Sequence, residues 1–542
     1  MKRFFAIFAV ELLLVACSSQ TVRSIETPTA PVRTNSGPVT GERVDNVEIY
    51  RGIPYASPPV GERRWKEPIP AQPWRETLAM TEFGDVCPQP KNEFIKYRGQ
   101  ISEDCLTLNI WAPVRDRAAP PLPVMVWLHG GGFFLGSSAE MLYNGLALAR
   151  EGAVVVTLNY RLGALGFLAR PELATESPHR SSGNYGIMDQ ILALKWVRDN
   201  IRQFGGDPDR VAIFGQSAGA VSVTALMASE QAKGLFHRAI AQSGHAPKTL
   251  RCSARSNQHL PSMESLGQRF AQNLGGGDEL SAMRSQSWQA VVRAWEKTLR
   301  DSAVGDAIAG AGTANHLSID GYILKQSPGR VFAAGQQHKI PFAIGTTADE
   351  GSLFARKLKI ETHRAYTRFL RRVFGPQLGQ RYLEVYPARD RASARQAFST
   401  LIGDKIVLGT RTTATEMAAI EPQTYLYQFS HISPMAARNG LGSHHGSELP
   451  YLFRVLPRDR GFGQEDLKLS EHMANYWTQF ARTGNPNKSN NPQWPAFDSV
   501  NQNYLVLDRN IKAEQNLLGK RLDALISLEQ SSAPLARLQG CQ

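Results

Sequence analysis

The chain has 542 residues, of which 42% are hydrophobic and 9% aromatic, so it can bury a large core. It contains no internal repeat, long low-complexity block or charged interior linker, which excludes a repeat array and favours one large domain. The formal net charge of +13 favours anionic membranes, polyanions or acidic substrates, although a solvated surface is its simplest explanation. No nucleic-acid-binding motif accompanies the basic residues, so we expect no nucleic-acid partner.

The N-terminal 17 residues have the charged-then-apolar order of an export signal. Two basic residues follow Met1 and precede a mostly apolar stretch over 4–16, which is too short to span a bilayer. The stretch ends in Leu14-Val15-Ala16-Cys17, which resembles the bacterial lipobox, where the cysteine is acylated and becomes the mature N-terminus. The alternatives are a plain secretory peptide cut nearby and an uncut membrane anchor.

The segment over 18–40 is rich in Thr, Pro and Arg and has little apolar content, so it is predicted to be a flexible tether. We therefore expect a protein that is exported across the inner membrane. Lipid on Cys17 would attach it to a bacterial (outer) membrane, in the periplasm or at the cell surface.

Export would place the other four cysteines in an oxidising compartment, where disulfides form. Cys87 and Cys105 lie 18 residues apart and are the natural pair. Closing a loop of this size stabilises the folded chain by roughly 3 kcal/mol. Cys252 and Cys541 are far apart in the sequence, which leaves open whether they are paired or free.

The hydrophobic pattern predicts strands and a helix in an alternating order. From Gly41 to Tyr55 apolar and polar residues alternate, as in half-buried antiparallel strands. Continuous apolar runs over 124–128, 154–158 and 211–214 predict strands that are buried on both faces. Between the last two runs, apolar residues recur at helical spacing over 186–204. The order strand, helix, strand predicts a parallel sheet with right-handed crossovers.

A Gly-x-Ser-x-Gly pattern, Gly215-Gln216-Ser217-Ala218-Gly219, follows the last of these apolar runs and precedes a small-residue segment over 220–228. The pattern alone arises often by chance in a chain with 46 glycines. Between a strand and a helix it predicts a nucleophile elbow, in which small neighbours let the Ser217 hydroxyl project from a strained turn.

A serine nucleophile also needs a base and backbone N–H groups around the oxyanion that develops. His129-Gly130-Gly131-Gly132-Phe133 ends an earlier predicted strand, and its glycines let the main chain approach a substrate closely. We predict that the N–H groups of Gly131, Gly132 and Ala218 form this oxyanion hole. A plain flexible turn is the alternative explanation for the glycines.

These features together resemble the type-B carboxylesterase and lipase family, which also contains the cholinesterases. Residues 103–111 (EDCLTLNIW) resemble one family signature, and residues 204–219 resemble the other. The resemblance implies the α/β-hydrolase fold, a large central and mostly parallel sheet flanked by helices, with inserted cap regions. We place this domain over 41–515, between the signal (1–17) and tether (18–40) and a C-terminal tail (516–542).

In this family the triad acid lies in an Asp-Glu-Gly step and the base in a His-Gly-x-Glu step. Residues 349–351 and 445–448 match these steps, so the resemblance implies Glu350 as acid and His445 as base. A surface carboxylate is the alternative for Glu350, and the neighbouring His444 is the alternative base. The order Ser217, Glu350, His445 is that of α/β-hydrolases. Such a triad hydrolyses carboxylic esters through an acyl-enzyme, without a metal or organic cofactor.

Two departures from the family bear on the substrate. Gln216 stands where many members have glutamate, and the segment between Cys87 and Cys105 lacks the Trp with which cholinesterases hold a quaternary ammonium. We therefore reject a cholinesterase and expect short-chain or aryl carboxylic esters as small-molecule substrates. A lipase or amidase with the same triad and a binding protein on the same scaffold are the alternatives. The sequence does not indicate the oligomeric state.

Overall fold

The computed structural model describes residues 27–91, 97–116, 118–256, 261–301, 316–357, 360, 362–531 and 541. The predicted export signal, with its predicted lipidation site Cys17, and residues 18–26 of the predicted tether lie outside the described residues. Within the described ranges, no helix combines the length and the apolar character needed to span a membrane.

The strands are short near the N-terminal end of the described chain and longer in its centre. They are β1 (Thr27–Pro28), β2 (Val32–Arg33), β3 (Pro38–Thr40), β4 (Glu42–Val44), β5 (Val47–Pro54), β6 (Leu78–Ala79), β7 (Thr107–Pro113), β8 (Leu122–Leu128), β9 (Val154–Leu158), β10 (Gly206–Gln216), β11 (Arg238–Gln242), β12 (Arg251–Cys252), β13 (Ser318–Ile319), β14 (Phe342–Thr347), β15 (Thr424–Phe429), β16 (Asn503–Leu507) and β17 (Lys512–Gln515).

The helices lie mainly between the central strands and after them. They are α1 (Leu146–Arg150), α2 (Gly163–Phe167), α3 (Pro171–Glu176), α4 (Tyr185–Asn200), α5 (Ala218–Ala228), α6 (Met263–Leu274), α7 (Leu280–Ser285), α8 (Trp288–Asp301), α9 (Pro328–Ala333), α10 (Ser352–Lys357), α11 (His363–Phe374), α12 (Pro376–Val385), α13 (Arg391–Ala418), α14 (Pro434–Arg438), α15 (Leu449–Leu452), α16 (Gln464–Thr483) and α17 (Gly519–Ser531).

One 12-stranded sheet, in the order β1-β4-β5-β7-β9-β8-β10-β11-β14-β15-β16-β17, forms the centre of the described structure. The neighbouring strands β9, β8, β10, β11, β14, β15 and β16 are mutually parallel. The strands on either side of this group pair in antiparallel fashion. Helices α6–α8 follow the carboxyl end of β11, and α10–α13 follow that of β14. The predicted large, mostly parallel sheet with flanking helices and insertions is confirmed.

Alternate side chains of the central strands enter two apolar cores on opposite faces of the sheet. In β8, Val124 and Val126 contribute to one core and Met125 and Trp127 to the other, and all four are fully buried. Helices α4 and α5 contribute buried side chains to the first core, and α16 contributes to the second. Burial on both faces explains why these strands are continuously apolar in sequence.

The structure differs from the predicted tether over residues 27–40. There β1 pairs with β4, and β2, β3 and β6 form a small separate sheet that buries Val39 completely. The predicted C-terminal tail likewise contains α17, which buries Leu522 and Leu525 and pairs Arg521 with Asp404 at 2.5 Å. Strand pairing and burial of apolar side chains therefore give both segments regular structure.

Two disulfides are present among the described residues, and one of them was predicted from the sequence. The predicted pair is confirmed, with the Cα atoms of Cys87 and Cys105 5.1 Å apart. Cys252 of β12 is bonded to Cys541, with their Cα atoms 5.5 Å apart, which resolves the question that the sequence left open.

Candidate active site

Ser217 lies in a sharp turn between β10 and α5, at the carboxyl end of the parallel strands. Its backbone angles are φ 58° and ψ −122°, a conformation that is strained for a residue with a side chain. The Ser217 N–H donates to the carbonyl oxygen of Gln242 on β11 at 2.8 Å. A Cβ atom on Gly219 would lie 1.9 Å from the carbonyl oxygen of Leu128, so only glycine fits there. The strand, tight turn and helix predicted around Ser217 are present.

The glycine loop that follows β8 runs beside Ser217. A Cβ atom on Gly130 would lie 3.2 Å from the Ser217 Cβ. Gly131 and Gly132 have φ values of 110° and 65°, which favour glycine. Ala218 is the first residue of α5, and N–H groups in a first helical turn have no acceptor within their helix. The three residues predicted as oxyanion donors therefore belong to the two backbone segments that adjoin Ser217.

His129 is a buried residue that contacts the backbone of the glycine loop. Its ring stacks on Tyr160 with centroids 4.3 Å apart, and its Nδ1 lies 2.9 Å from the carbonyl oxygen of Gly130. Burial lowers the pKa of His129 to about 4, so the ring is neutral at ordinary pH. We infer that His129 holds the shape of the loop.

Glu350 and His445 come from the loops after β14 and β15 and meet at the same edge of the sheet. The Glu350 Oε2 atom lies 2.5 Å from Nδ1 of His445, and its Oε1 accepts the N–H of Thr347 at 2.8 Å. Glu350 is fully buried, and the His445 side chain is 9% exposed. A carboxylate on Nδ1 fixes the tautomer in which Nδ1 carries the proton and Nε2 has a free lone pair.

The two loops are also joined by one backbone–backbone and one backbone–side-chain hydrogen bond. The N–H of Asp349 donates to the Ser443 carbonyl at 2.9 Å, and the N–H of Ser443 donates to Oδ2 of Asp349 at 2.9 Å. The ring of His444 lies against the Gly442 carbonyl, at 3.2 Å from Nδ1, and burial lowers the pKa of His444. The hydrogen bond to Glu350 thus belongs to His445 and not to His444.

The side chain of Gln216 contacts the other nitrogen of His445. Its Nε2 lies 3.1 Å from the ring Nε2, and Gln216 as a whole is only 5% exposed. Among the described residues, this amide and not the Ser217 hydroxyl is the hydrogen-bond partner of that ring nitrogen. The sequence showed Gln216 next to Ser217 but gave no signal for this contact.

Glu448 is a buried acid that was not predicted from the sequence as a site residue. It is fully buried, its Oε1 accepts from Nε2 of Gln242 at 3.2 Å, and Gln242 in turn accepts from the Trp477 indole at 3.1 Å. Burial, reinforced by the charge of Glu350, raises the pKa of Glu448 to about 7. Its place in the His-Gly-x-Glu step was the one available signal.

Aromatic rings border the groups just described. The Phe354 ring centroid lies 5.0 Å from that of His445. Phe134 is 37% exposed, and a Cβ atom on Gly132 would lie 2.7 Å from its ring. Flat apolar surfaces therefore adjoin both His445 and the glycine loop.

Comparison with known proteins gives consistent matches over nearly the whole chain. Residues 26–525 match the model of the carboxylesterase family. The chain is 36% identical to fumonisin B1 esterase of Sphingopyxis macrogoltabida over 478 residues, which covers 86% of this chain and 84% of that protein. It is 34% identical to para-nitrobenzyl esterase of Bacillus subtilis (strain 168) over 500 residues, covering 90% of this chain and 96% of the relative.

A solved structure of a PNB esterase has a TM-score of 0.78 to this chain at 33% sequence identity, and the match covers 91% of this chain and 99% of that one. The shared fold is the α/β-hydrolase fold, with its nucleophile-bearing turn after a central strand. The chain therefore belongs to the carboxylesterase family and is a serine carboxylic ester hydrolase.

Proposed function

We propose that Ser217, His445 and Glu350 are the nucleophile, base and acid of the esterase. His445 Nε2 takes the proton of the Ser217 hydroxyl as its oxygen attacks the ester carbonyl carbon. The same proton then passes to the leaving alkoxide, so an alcohol departs and the acyl group remains on Ser217. A water molecule, deprotonated by His445, attacks the acyl-enzyme, and the carboxylic acid leaves as the proton returns to Ser217.

The observation that carries this proposal is the hydrogen bond between Glu350 and Nδ1 of His445. A buried carboxylate at 2.5 Å orients the ring and stabilises the imidazolium that forms during each proton transfer. Ser217 stands on a strained turn at the same edge of the sheet, next to a residue whose side chain reaches His445. These contacts support the assignment of all three roles.

The N–H groups of Gly131, Gly132 and Ala218 are the proposed donors to the oxyanion of the tetrahedral intermediate. Two observations support this assignment: both glycines lie in the loop beside Ser217, and Ala218 begins α5, where N–H groups have no acceptor within the helix. Each such donor contributes about 10²–10³-fold to the rate in enzymes of this type.

Three variants of the full-length protein test the triad with p-nitrophenyl butyrate. Ser217→Ala and His445→Gln are each expected to lower kcat/KM by about 10⁴-fold or more. His444→Gln is the matched control, because its ring lacks the hydrogen bond to Glu350, and it should retain activity within about tenfold of the wild type. Full activity in Ser217→Ala, with no labelling of Ser217 by a fluorophosphonate, would contradict the mechanism.

Short-chain or aryl carboxylic esters are the proposed substrates. The aromatic rings of Phe354 and Phe134 beside His445 and Gly132 suit a small apolar acyl or aryl group. The relatives named above act on para-nitrobenzyl esters and on fumonisin B1, so both compounds belong in the assay panel.

A series of p-nitrophenyl acetate, butyrate and decanoate measures the acyl preference. We expect kcat/KM to be highest for acetate or butyrate. A maximum at decanoate would favour a lipase, and faster turnover of the corresponding anilides than of the esters would favour an amidase.

We also propose that the protein is exported and anchored by lipid on Cys17. The residues 14–17 carry this proposal through their match to the lipobox. Mass spectrometry of the protein from a bacterial membrane fraction should find a cleaved, acylated N-terminal cysteine, and labelled palmitate should be incorporated. Cys17→Ser should incorporate none. A mature N-terminus elsewhere, without label, would indicate a plain secretory peptide.

A further inference from the structure

The contact between Gln216 and His445 bears directly on how the base is held before substrate arrives. Gln216 is the last residue of β10, and its amide nitrogen lies 3.1 Å from Nε2 of His445. A Cβ atom on Gly130 would lie 3.0 Å from Oε1 of Gln216. The carboxamide thus fills the space between the glycine loop and the imidazole.

The position of the proton on the imidazole ring determines which group donates in this contact. Nδ1 of His445 donates its proton to Oε2 of Glu350, so in the neutral ring Nε2 has one lone pair and no proton. The amide nitrogen of Gln216 is a donor and pairs with this lone pair. The Ser217 hydroxyl needs the same lone pair to lose its proton. Two donors therefore compete for one acceptor.

We propose that Gln216 is a positioning residue whose amide occupies the Nε2 lone pair of His445 and yields it to the Ser217 hydroxyl when substrate binds. The inference rests on the proposed triad. An amide donor pairs with the neutral ring and opposes its protonation. A carboxylate at the same position would instead pair with the imidazolium and favour it. Gln216 therefore keeps the base competent at lower pH than glutamate would.

Ionisable groups other than position 216 also lie near His445 and are the same in the wild type and in the Gln216 variants. Glu350 is bonded to Nδ1, and Glu448, three residues further along, interacts with His445 through its charge and has its pKa raised to about 7 by burial. His444 is adjacent and its pKa is lowered by burial, while Asp349 is hydrogen-bonded to the backbone of the histidine loop.

The other elements that pack against the ring present neutral groups among the described residues. Helix α10 contributes the Phe354 ring, and β10 contributes Gln216 itself. On the glycine-loop side, burial keeps His129 neutral by lowering its pKa to about 4. A glutamate at position 216 would therefore add a new carboxylate on the Nε2 side of the imidazole.

The test compares the wild type with Gln216→Glu and Gln216→Met in the full-length protein. The dependence of kcat/KM for p-nitrophenyl butyrate on pH, from about pH 5 to about pH 9, reports the free enzyme's base. Gln216→Glu should move the acid limb upward by about one pH unit or more, because the carboxylate stabilises the imidazolium. Gln216→Met keeps the length of the side chain but loses the donor, and should move the limb upward by less than half as far.

A purely structural role of Gln216 would lower kcat/KM at every pH and leave the acid limb in place. That result in both variants, with melting temperatures near the wild-type value, would overturn the proposal. If Gln216→Glu does not fold, the limb of Gln216→Met decides alone, and an unmoved limb there rejects the inference. The pH dependence of inactivation by a fluorophosphonate provides a second measurement of the same limb.

The test of the Gln216 role and the test of the proposed triad can fail independently of each other. Retained activity in Ser217→Ala or His445→Gln would reject the triad, whatever Gln216 does. Loss of activity in both, combined with an unmoved acid limb in the Gln216 variants, would reject only the positioning role.

Discussion

Gln242 donates a hydrogen bond from its side-chain amide to Glu448, at 3.2 Å, and Glu448 lies three residues after the proposed catalytic histidine. The same amide group accepts from the indole of Trp477, and Glu448 is fully buried. The other oxygen of Glu448 has no hydrogen-bond partner among the described residues. A half-satisfied buried carboxyl group is expected to hold a proton well above its ordinary pKa.

Replacing Glu448 by glutamine tests this directly. Burial raises the pKa of Glu448 from 4.5 to about 7, so between these values the folded protein keeps a proton that the unfolded chain has lost. The free energy of unfolding therefore falls as pH rises through this window, by roughly 1–3 kcal/mol for this group. Glu448→Gln retains an acceptor for Gln242 and cannot ionise. Its stability relative to the wild type should increase between pH 5 and pH 8 in urea unfolding, and a constant difference would contradict the assignment.

His431 is expected to give a pH dependence of the same sign, because its pKa is also raised in the folded protein. Burial opposes its charge, but hydrogen bonds to Asp508 and Asp466, at 3.2 and 2.8 Å, outweigh burial and raise the pKa of His431. Its contribution to stability is complete below the ordinary histidine pKa and is lost as pH rises through the higher folded value. In thermal melts, His431→Gln should be destabilised more at pH 6 than at pH 9. Equal destabilisation at both would show that the ring acts only by packing.

Arg161 and Asp189 form a buried ion pair, with two hydrogen bonds of 2.8 Å and side chains 3% and 0% exposed. Asp189→Asn leaves the guanidinium buried without its counter-charge, so we expect a loss of about 3–5 kcal/mol in urea unfolding. The exposed pair of Arg198 and Asp199 is the control, because Asp199→Asn should cost less than about 1 kcal/mol. Similar small losses in both variants would refute the prediction.

The Cys252–Cys541 disulfide ties the end of the chain to β12. Because it closes a loop with a sequence separation of 289, it restricts the unfolded chain, and its removal should cost about 2–4 kcal/mol. We expect the double variant Cys252→Ser/Cys541→Ser to melt at a lower temperature than the wild type under oxidising conditions. The two proteins should differ little once both are fully reduced, because reduction breaks the Cys87–Cys105 disulfide in each of them. Free thiols at both positions in the oxidised wild type would rule out the pairing.

The local features of the fold were predictable because each depends on residues close together in sequence. The strand around Val126 is apolar at every position because both its faces are buried, and the turn at Ser217 requires the small residues that flank it. The strands within residues 27–40 were not predicted, because they form by pairing with β4 and β6 and their own composition does not indicate strands.

The sequence by itself predicted the parallel sheet, the turn that bears Ser217 and the glycine loop, and its family resemblance implied Glu350 and His445 as the proposed acid and base. Each of these has a local pattern of apolar spacing, glycines or a short motif. Only the tertiary structure decided that Gln216 contacts His445, that Glu448 is buried against Gln242 and that Cys541 pairs with Cys252. These contacts join residues more than 200 positions apart, and no local pattern records which distant groups folding will bring together or how deeply it will bury them.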